Sequence, residues 1–417
     1  MKQIQLLLGI IIALFPLRSI AAIDMQAHVA SDEGKQAYVD YLAEQDAYYT
    51  GAYAYDSLVV LTGDTLFGRI NTLMGNTCRI ASGFDYDKLR NNYVKVDRDL
   101  NNEGYIIGYY NGVSFKGVWD AGATWNREHT WPQSKGAKKS KPMGYDMQSV
   151  RPTLKSVNSS RGNKGYGENT GYYDPNELSV ENPDYNPVNL GTYRGDAARV
   201  ILYDYLVYGA AGGYKNHLYN GTAQLLKKVG AGSDSTLFES MHILLKWHMQ
   251  DPPSLTEMVR NDGAQDYQGN RNPIIDYPEL AIEIFSNYDK ITSYPVTYNL
   301  VETVSPRYMH TLSEGFITYL TNKDGSHPDE VTVTGGQYSY DADLGRLIIT
   351  DVTGSLTIST STPTMDVAAD VYTQAKIYNM SGELLATTKD VRSALSNLRS
   401  GLYIISQGVQ TRKVIVP

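Results

Sequence analysis

The chain has 417 residues, of which 42% are hydrophobic and 20% charged, with a mean hydropathy of −0.35. That is enough apolar material for a large core, organised at roughly 150 residues per domain into two or three units, and it excludes a disordered chain. A formal net charge of −8, taken as an average, argues against a polyanionic partner. The single cysteine, Cys78, excludes an intramolecular disulfide and a cysteine-built zinc site.

Residues 1–22 read as a secretory signal peptide. Lys2 provides the positive start, Leu6 to Phe15 a short apolar run, and Ser19-Ile20-Ala21-Ala22 a small-residue cleavage site. Ten apolar residues are too few to cross a bilayer as a helix, and no later segment is longer. The expected product is secreted, exported through the periplasm, with no membrane span.

Residues 23–294 hold the chemistry-bearing sequence. Asp64–Met74 places Leu66, Ile70 and Leu73 at helical spacing, with Asp64 as the expected N-cap. Asp196–Tyr208 is a second helix, with Asp196 as cap and Ala198, Ile201, Leu202, Tyr205 and Leu206 on one apolar face. Helix capping accounts for Asp196, which sets aside a cell-adhesion reading of Arg194-Gly195-Asp196. A third helix is predicted over Leu237–Met249; its His242 and His248 lie about 240° apart around the axis and cannot share one metal ion.

Before the second of these helices, Trp125 to Gly165 concentrates nine basic residues (Arg127, Lys135, Lys138, Lys139, Lys141, Arg151, Lys155, Arg161 and Lys164) against Glu128 and Asp146. The segment carries +7, so the remainder of the chain carries −15. The basic residues alternate with Glu-His and Asn-Ser-Ser, groups suited to phosphodiester chemistry. Hydrolysis needs a base for water, a cation for the developing charge and donors for the phosphate. His129 is the natural base, because a neutral imidazole accepts a proton near physiological pH. Glu128 and Asn158 offer oxygen ligands of the kind Mg²⁺ accepts. Arg127, Arg151 and Arg161 offer charge-assisted hydrogen bonds to phosphate, and Lys155 and Lys164 add to the substrate surface. Neighbours on a regular strand face opposite ways, so Glu128 and His129 share a site only across a bend or through water.

From about residue 295 the pattern changes to short β-branched runs, Glu330–Thr334, Arg346–Thr350 and Leu356–Ser359, as in small antiparallel sheets; residues 295–363 form a β-rich linker or accessory segment. Residues 364–417 read as a strand, a turn at Asn379–Gly382 and two closing strands.

Two resemblances follow from these motifs. Trp125-Asn126-Arg127-Glu128-His129-Thr130-Trp131-Pro132, Asp146-Met147, Val150-Arg151-Pro152-Thr153 and Val157-Asn158-Ser159-Ser160-Arg161-Gly162-Asn163 resemble, in order, the endonuclease I family. The likeness continues through Gly195–Arg199, Trp247, Asp251-Pro252, Glu257, Arg260-Asn261 and Gln268–Pro273. It implies a secreted or periplasmic nuclease with an α+β fold built on a ββα-metal (His-Me) finger, cleaving DNA and often RNA with little sequence preference. It implies His129 as general base, Asn158 and Glu128 as metal ligands, and Arg161 and Asn163 as supports of the metal site or phosphate. It also brings Arg271 toward the same cleft, with water as nucleophile and 5′-phosphorylated products. The cofactor would be Mg²⁺, with Mn²⁺ or Ca²⁺ as substitutes. Gln148 and Ser149 depart from the family, where a histidine or asparagine commonly follows Asp-Met, and this puts in question any phosphate or metal contact there. The terminus, with Ile377-Tyr378-Asn379, Gly382-Glu383-Leu384, Gly401–Ile405 and Lys413–Val416, resembles the C-terminal sorting domain of the Bacteroidetes type IX secretion system. The expected partners are nucleic acid and that secretion machinery, for a monomeric protein. The rival expectations are a nucleic-acid-binding protein that has lost catalysis, and a surface adhesin.

Overall fold

The computed structural model of the chain describes residues 32–80, 83–175, 193–219 and 240–285, most of 291–360, and stretches between 375 and 416. The signal sequence and the turn after Asn379 lie outside the described residues. The chain divides into two compact units, Met1–Ser361 and Thr362–Pro417.

The first unit is mixed α+β, as the sequence predicts. Helices α1 (Asp32–Tyr48) and α2 (Gly63–Thr77) precede a hairpin of β1 (Tyr105–Ile107) and β2 (Ser114–Lys116). A second antiparallel pair, β3 (Trp125–His129) and β4 (Val150–Leu154), leads directly into α3 (Lys155–Arg161). Helices α4 (Arg194–Tyr208), α5 (Met241–Gln250), α6 (Leu255–Gln268) and α7 (Leu280–Phe285) complete the helical part.

Helix α4 is the centre of this part, and its cap differs from the one expected. It starts at Arg194 after Tyr193, which makes no side-chain cap bond, so Asp196 sits inside the first turn. Gly195 to Tyr208 are buried all round, rather than along one apolar stripe. A helix buried on every side needs partners for its polar residues. Arg199, fully buried, donates from Nε and Nη2 to the two Glu257 oxygens at 2.6 and 2.7 Å. Glu257 in turn closes a capping box with Ser254 at the start of α6. Arg194 donates to Asp174 while Asp196 is buried beside Arg199, so the Arg-Gly-Asp tripeptide is not presented for adhesion. Helix α2 likewise begins one residue before Asp64, with Thr62 as its N-cap and no side-chain cap bond.

The same polar core absorbs the residues that depart from the family pattern. Asp146, fully buried, accepts hydrogen bonds from Tyr203, Tyr208 and Gln268, each at 2.7 Å. Gln148 donates to Asn261 and accepts from Arg260, and Ser149 donates to Asp204. These contacts tie the segment leading into β4 to α4 and α6.

The β-rich stretch is more than a linker. Strand β5 (Tyr294–Asn299) pairs antiparallel with β6 (His310–Thr311) and parallel with β11 (Leu356–Thr360), which pairs with β8 (Val331–Thr334). A second sheet runs β9 (Gln337–Asp341), β10 (Arg346–Thr350), β7 (Ile317–Tyr319). Leu312, Phe316, Leu347 and Ile358 belong to one hydrophobic cluster with Leu244, Ile284 and Phe285 of the helices. Among the described residues two side-chain hydrogen bonds cross the same junction, His310–Glu283 at 2.7 Å and His242–Glu314 at 2.6 Å. Burial of apolar side chains from both parts makes them one core.

In the second unit, β12 (Ala375–Asn379), β13 (Leu384–Thr388), β14 (Gly401–Gln407) and β15 (Gln410–Val416) form an antiparallel sheet in the order β13-β12-β14-β15. Ala375, Ile377, Tyr403 and Ile405 make its small core. Three of the strands are those read from the sequence, and β13 is a fourth that the reading did not include.

His248 has a consequence for stability. It is fully buried in α5, with Nε2 bonded to the Pro278 carbonyl at 2.8 Å and Nδ1 without a partner among the described residues. Burial and the nearby Arg199 hold its pKa down at about 3. The unfolded chain therefore binds the extra proton first, below about 6.5, and this group's stability is lost as pH falls from there toward 3. Chemical denaturation of wild type and His248→Gln at several pH values should show a pH slope shallower in the variant by up to ~1.4 kcal/mol per unit. Parallel slopes would show that His248 is not part of the acid response.

Candidate active site

The sequence Leu154-Lys155 turns a strand into a helix without an intervening loop. Leu154 closes β4 and serves as the N-cap of α3, while Gly162, at φ +57°, ends the helix after barely two turns. Antiparallel pairing sets Glu128 opposite Arg151 and His129 opposite Val150. The end of β3 and the helix α3 then line one cleft of about 570 Å³, with Arg127, Glu128 and His129 from the strand, Lys155 and Asn158 from the helix, and Asn163 just beyond it. Tyr86, Trp119 and Asn126 line it as well. Glu128 and His129 are the last two residues of β3, where the ladder ends, and this lets sequence neighbours share the cleft.

Glu128 is only 1% exposed. Its Oε1 accepts from Tyr110 at 2.8 Å and from Arg161 Nη1 at 2.9 Å. Burial pushes the carboxyl up from its ordinary pKa, against the opposing pull of Arg161 and Tyr110. Both bonds fall on Oε1, so Oε2 is the oxygen available to a ligand in the cleft. Tyr110 holds its hydroxyl there from a left-handed backbone, φ +75°, which a residue with a Cβ rarely adopts.

His129 is 7% exposed and stacks on Tyr86, with centroids 5.2 Å apart and planes 23° from parallel. Neither ring nitrogen makes a well-formed hydrogen bond among the described residues, although the Ala137 backbone lies near enough to favour the protonated ring. Burial first, and then the positive charge of Arg127, outweigh that and bring the pKa down to about 4. The imidazole is therefore neutral near physiological pH and able to accept a proton.

The arginines expected to grip phosphate are used otherwise. Arg161 is buried; besides Glu128 it donates to the His129 carbonyl at 2.7 Å and the Thr130 carbonyl at 2.6 Å. It positions the acid and the strand end and does not line the cleft. Arg151 is buried against Asp97, 3.4 Å away, with its guanidinium 4.4 Å from the Tyr109 ring centroid. Arg271 is fully buried, with Asp276 bound through Nε and Nη2 and Asp262 and Gln265 through Nη1. Neither Arg151 nor Arg271 lines the cleft, which departs from the expected substrate-binding set, and the Arg271 guanidinium is spent on internal carboxylates. Arg127 does line the cleft, but it donates to the Tyr86 carbonyl at 2.5 Å and pairs with Asp87 at 3.2 Å. Lys164 is exposed and outside the cleft lining, whereas Lys155 and Asn163 are at it. Trp125 and Trp131 are buried.

Sequence reasoning did not find Tyr86, Tyr110 or Trp119. Each stands outside the motif segment, 10 to 43 residues before His129, and no periodicity links these positions. The abundance of tyrosine, 34 residues, is a compositional trace of the two tyrosines alone.

The Endonuclease I family profile matches residues 70–279. The extracellular ribonuclease of Bacillus subtilis (strain 168) is 31% identical over 248 residues, which is 58% of this chain and 80% of that protein. The extracellular ribonuclease of Bacillus amyloliquefaciens is 33% identical over 216 residues, covering 50% of this chain and 71% of the relative. With the profile spanning both strands, α3 and the helices that brace them, the chain belongs to the endonuclease I family.

Proposed function

We propose that this protein is an extracellular endonuclease that hydrolyses phosphodiester bonds of DNA and RNA with little sequence preference, using Mg²⁺. The observation that carries the reading is the convergence of neutral His129, buried Glu128 and Asn158 on one cleft, with Lys155 and Asn163 beside them. The relatives' description as extracellular ribonucleases adds RNA to the DNA suggested by the motif. It also supports export, for which residues 1–22 are the signal and 364–417 the sorting domain.

The donor set suits the proposed cation. One carboxylate with a spare oxygen and one neutral amide leave most positions to water, as Mg²⁺ prefers, and the described residues hold no cluster of three or more His, Cys, Asp or Glu. Glu128 and Asn158 would hold the ion, which when bound neutralises charge on the phosphate and the leaving oxygen. The chain's own groups supply the rest. His129 takes the proton of the attacking water. Tyr110 and Arg161 fix Glu128 so that its carboxylate does not rotate away. Lys155 and Asn163 hold the phosphate, and the backbone contact is indifferent to base identity. On this view the stack around His129 and the lysines beside the cleft replace the arginine clamp read from the sequence. Gln148 and Ser149, the one basis for an inactive variant, are engaged in the core.

Two outcomes test the proposal. His129→Ala should lower the rate of plasmid and RNA digestion with Mg²⁺ by roughly 10²- to 10⁴-fold, and EDTA should abolish wild-type cleavage; cutting at the wild-type rate by the variant removes His129 as the base. Raising salt from about 50 to 200 mM should weaken kcat/KM steeply, and Lys155→Ala should reduce the slope against log salt by about 1. A slope unchanged by the substitution would show that Lys155 does not meet a phosphate.

A further inference from the structure

The imidazole of His129 lies in the cleft with the Ala137 backbone beside it and no well-formed hydrogen bond at either ring nitrogen among the described residues. The ring also packs on a series of planar groups. The Arg127 guanidinium lies 5.1 Å from the Trp119 ring centroid and 3.6 Å from that of Tyr86, and Tyr86 stacks on His129. Trp119 is itself backed edge-on by the buried Trp125 at 4.8 Å. Tyr86 is fixed by its backbone as well as its ring: Asp85 caps the short helix that begins at Tyr86, and the Tyr86 carbonyl accepts from Arg127. Nη1 of Arg127 is thus held by two contacts, the Tyr86 carbonyl and the Asp87 carboxylate.

We propose that Tyr86 is a positioning residue for His129: its ring, backed by the Arg127 guanidinium, sets the plane of the imidazole that accepts the proton of water. The catalytic part of this statement rests on the nuclease reading above; the stacking part does not. Packing of the Tyr86 ring on the imidazole is directional, so it can orient the ring as a hydrogen bond would. Stacking engages the face of the imidazole and not its nitrogens. Arg127, expected to bind phosphate, acts through this stack.

The test compares Tyr86→Leu with Tyr86→Phe in the full chain, by steady-state cleavage of plasmid and RNA with Mg²⁺ and by NMR of ¹³C-labelled histidine. Tyr86→Leu should lower kcat by roughly ten- to a hundredfold with KM within about threefold, the mark of a misplaced reacting group. Tyr86→Phe keeps the ring and should stay within about threefold of wild type in kcat. The His129 ring signals, shifted in wild type by the neighbouring ring, should move toward ordinary positions in the leucine variant alone. If Tyr86→Leu does not fold, Tyr86→Met, unbranched and without a planar group, takes its place. Unchanged kcat in the leucine variant, an equal loss in the phenylalanine variant, or a rise in KM alone would each overturn the proposal. A wild-type chain that cuts neither substrate removes the nuclease reading, and the histidine signals then decide the stacking by themselves: signals that do not move in the leucine variant overturn it.

Discussion

The site depends on one buried contact, the bond of Arg161 with Glu128. Arg161 ends α3, Glu128 lies at the end of β3, and the same guanidinium also takes the carbonyls of His129 and Thr130. One side chain therefore locks the helix that carries Asn158 to the strand that carries the acid and the base. Both charges are almost wholly removed from water. Removing one partner of such a pair costs on the order of 3–5 kcal/mol, because the other is left buried and uncompensated. The contact is thus better understood as a constraint on geometry than as a source of net stability.

Around it the polar core repeats the same arrangement. Asp146 gathers two tyrosines and a glutamine, Glu257 takes Arg199, and Asp276 takes Arg271. These are among the residues by which the chain resembles its family, and most of them never reach the cleft. They brace the β3–β4 pair against α4 and α6. A resemblance spread over many positions here reflects the support of a site at least as much as its chemistry.

The basic segment divides along the same line. Its three arginines pair with carboxylates or accept structural roles, while Lys138, Lys139, Lys141, Lys155 and Lys164 remain exposed. Arginine's planar fork suits buried, multi-bonded positions, and lysine's hydrated ammonium suits a solvent-facing surface that meets phosphate through charge. The +7 of this segment is therefore partly internal, and the field offered to a polyanion comes chiefly from lysine.

The sequence by itself determined the α+β class, three strands of the tail and helices α2, α4 and α5, and it singled out the trio His129, Glu128 and Asn158. Each is local: alternation and helical spacing act within one element, and the trio lies within 31 consecutive residues of a strand pair and the helix after it. Only the tertiary structure decided what each arginine does, because Asp97, which pairs with Arg151, comes from a distant part of the chain, and burial is what commits Arg271 to its nearby carboxylates. It also decided the caps of α2 and α4, since Asp196 is taken by the core before it can cap a helix end. Tyr86, Tyr110 and Trp119 entered the site in the same way. Nothing in a linear pattern links residue 86 to residue 129; packing brings the two rings together.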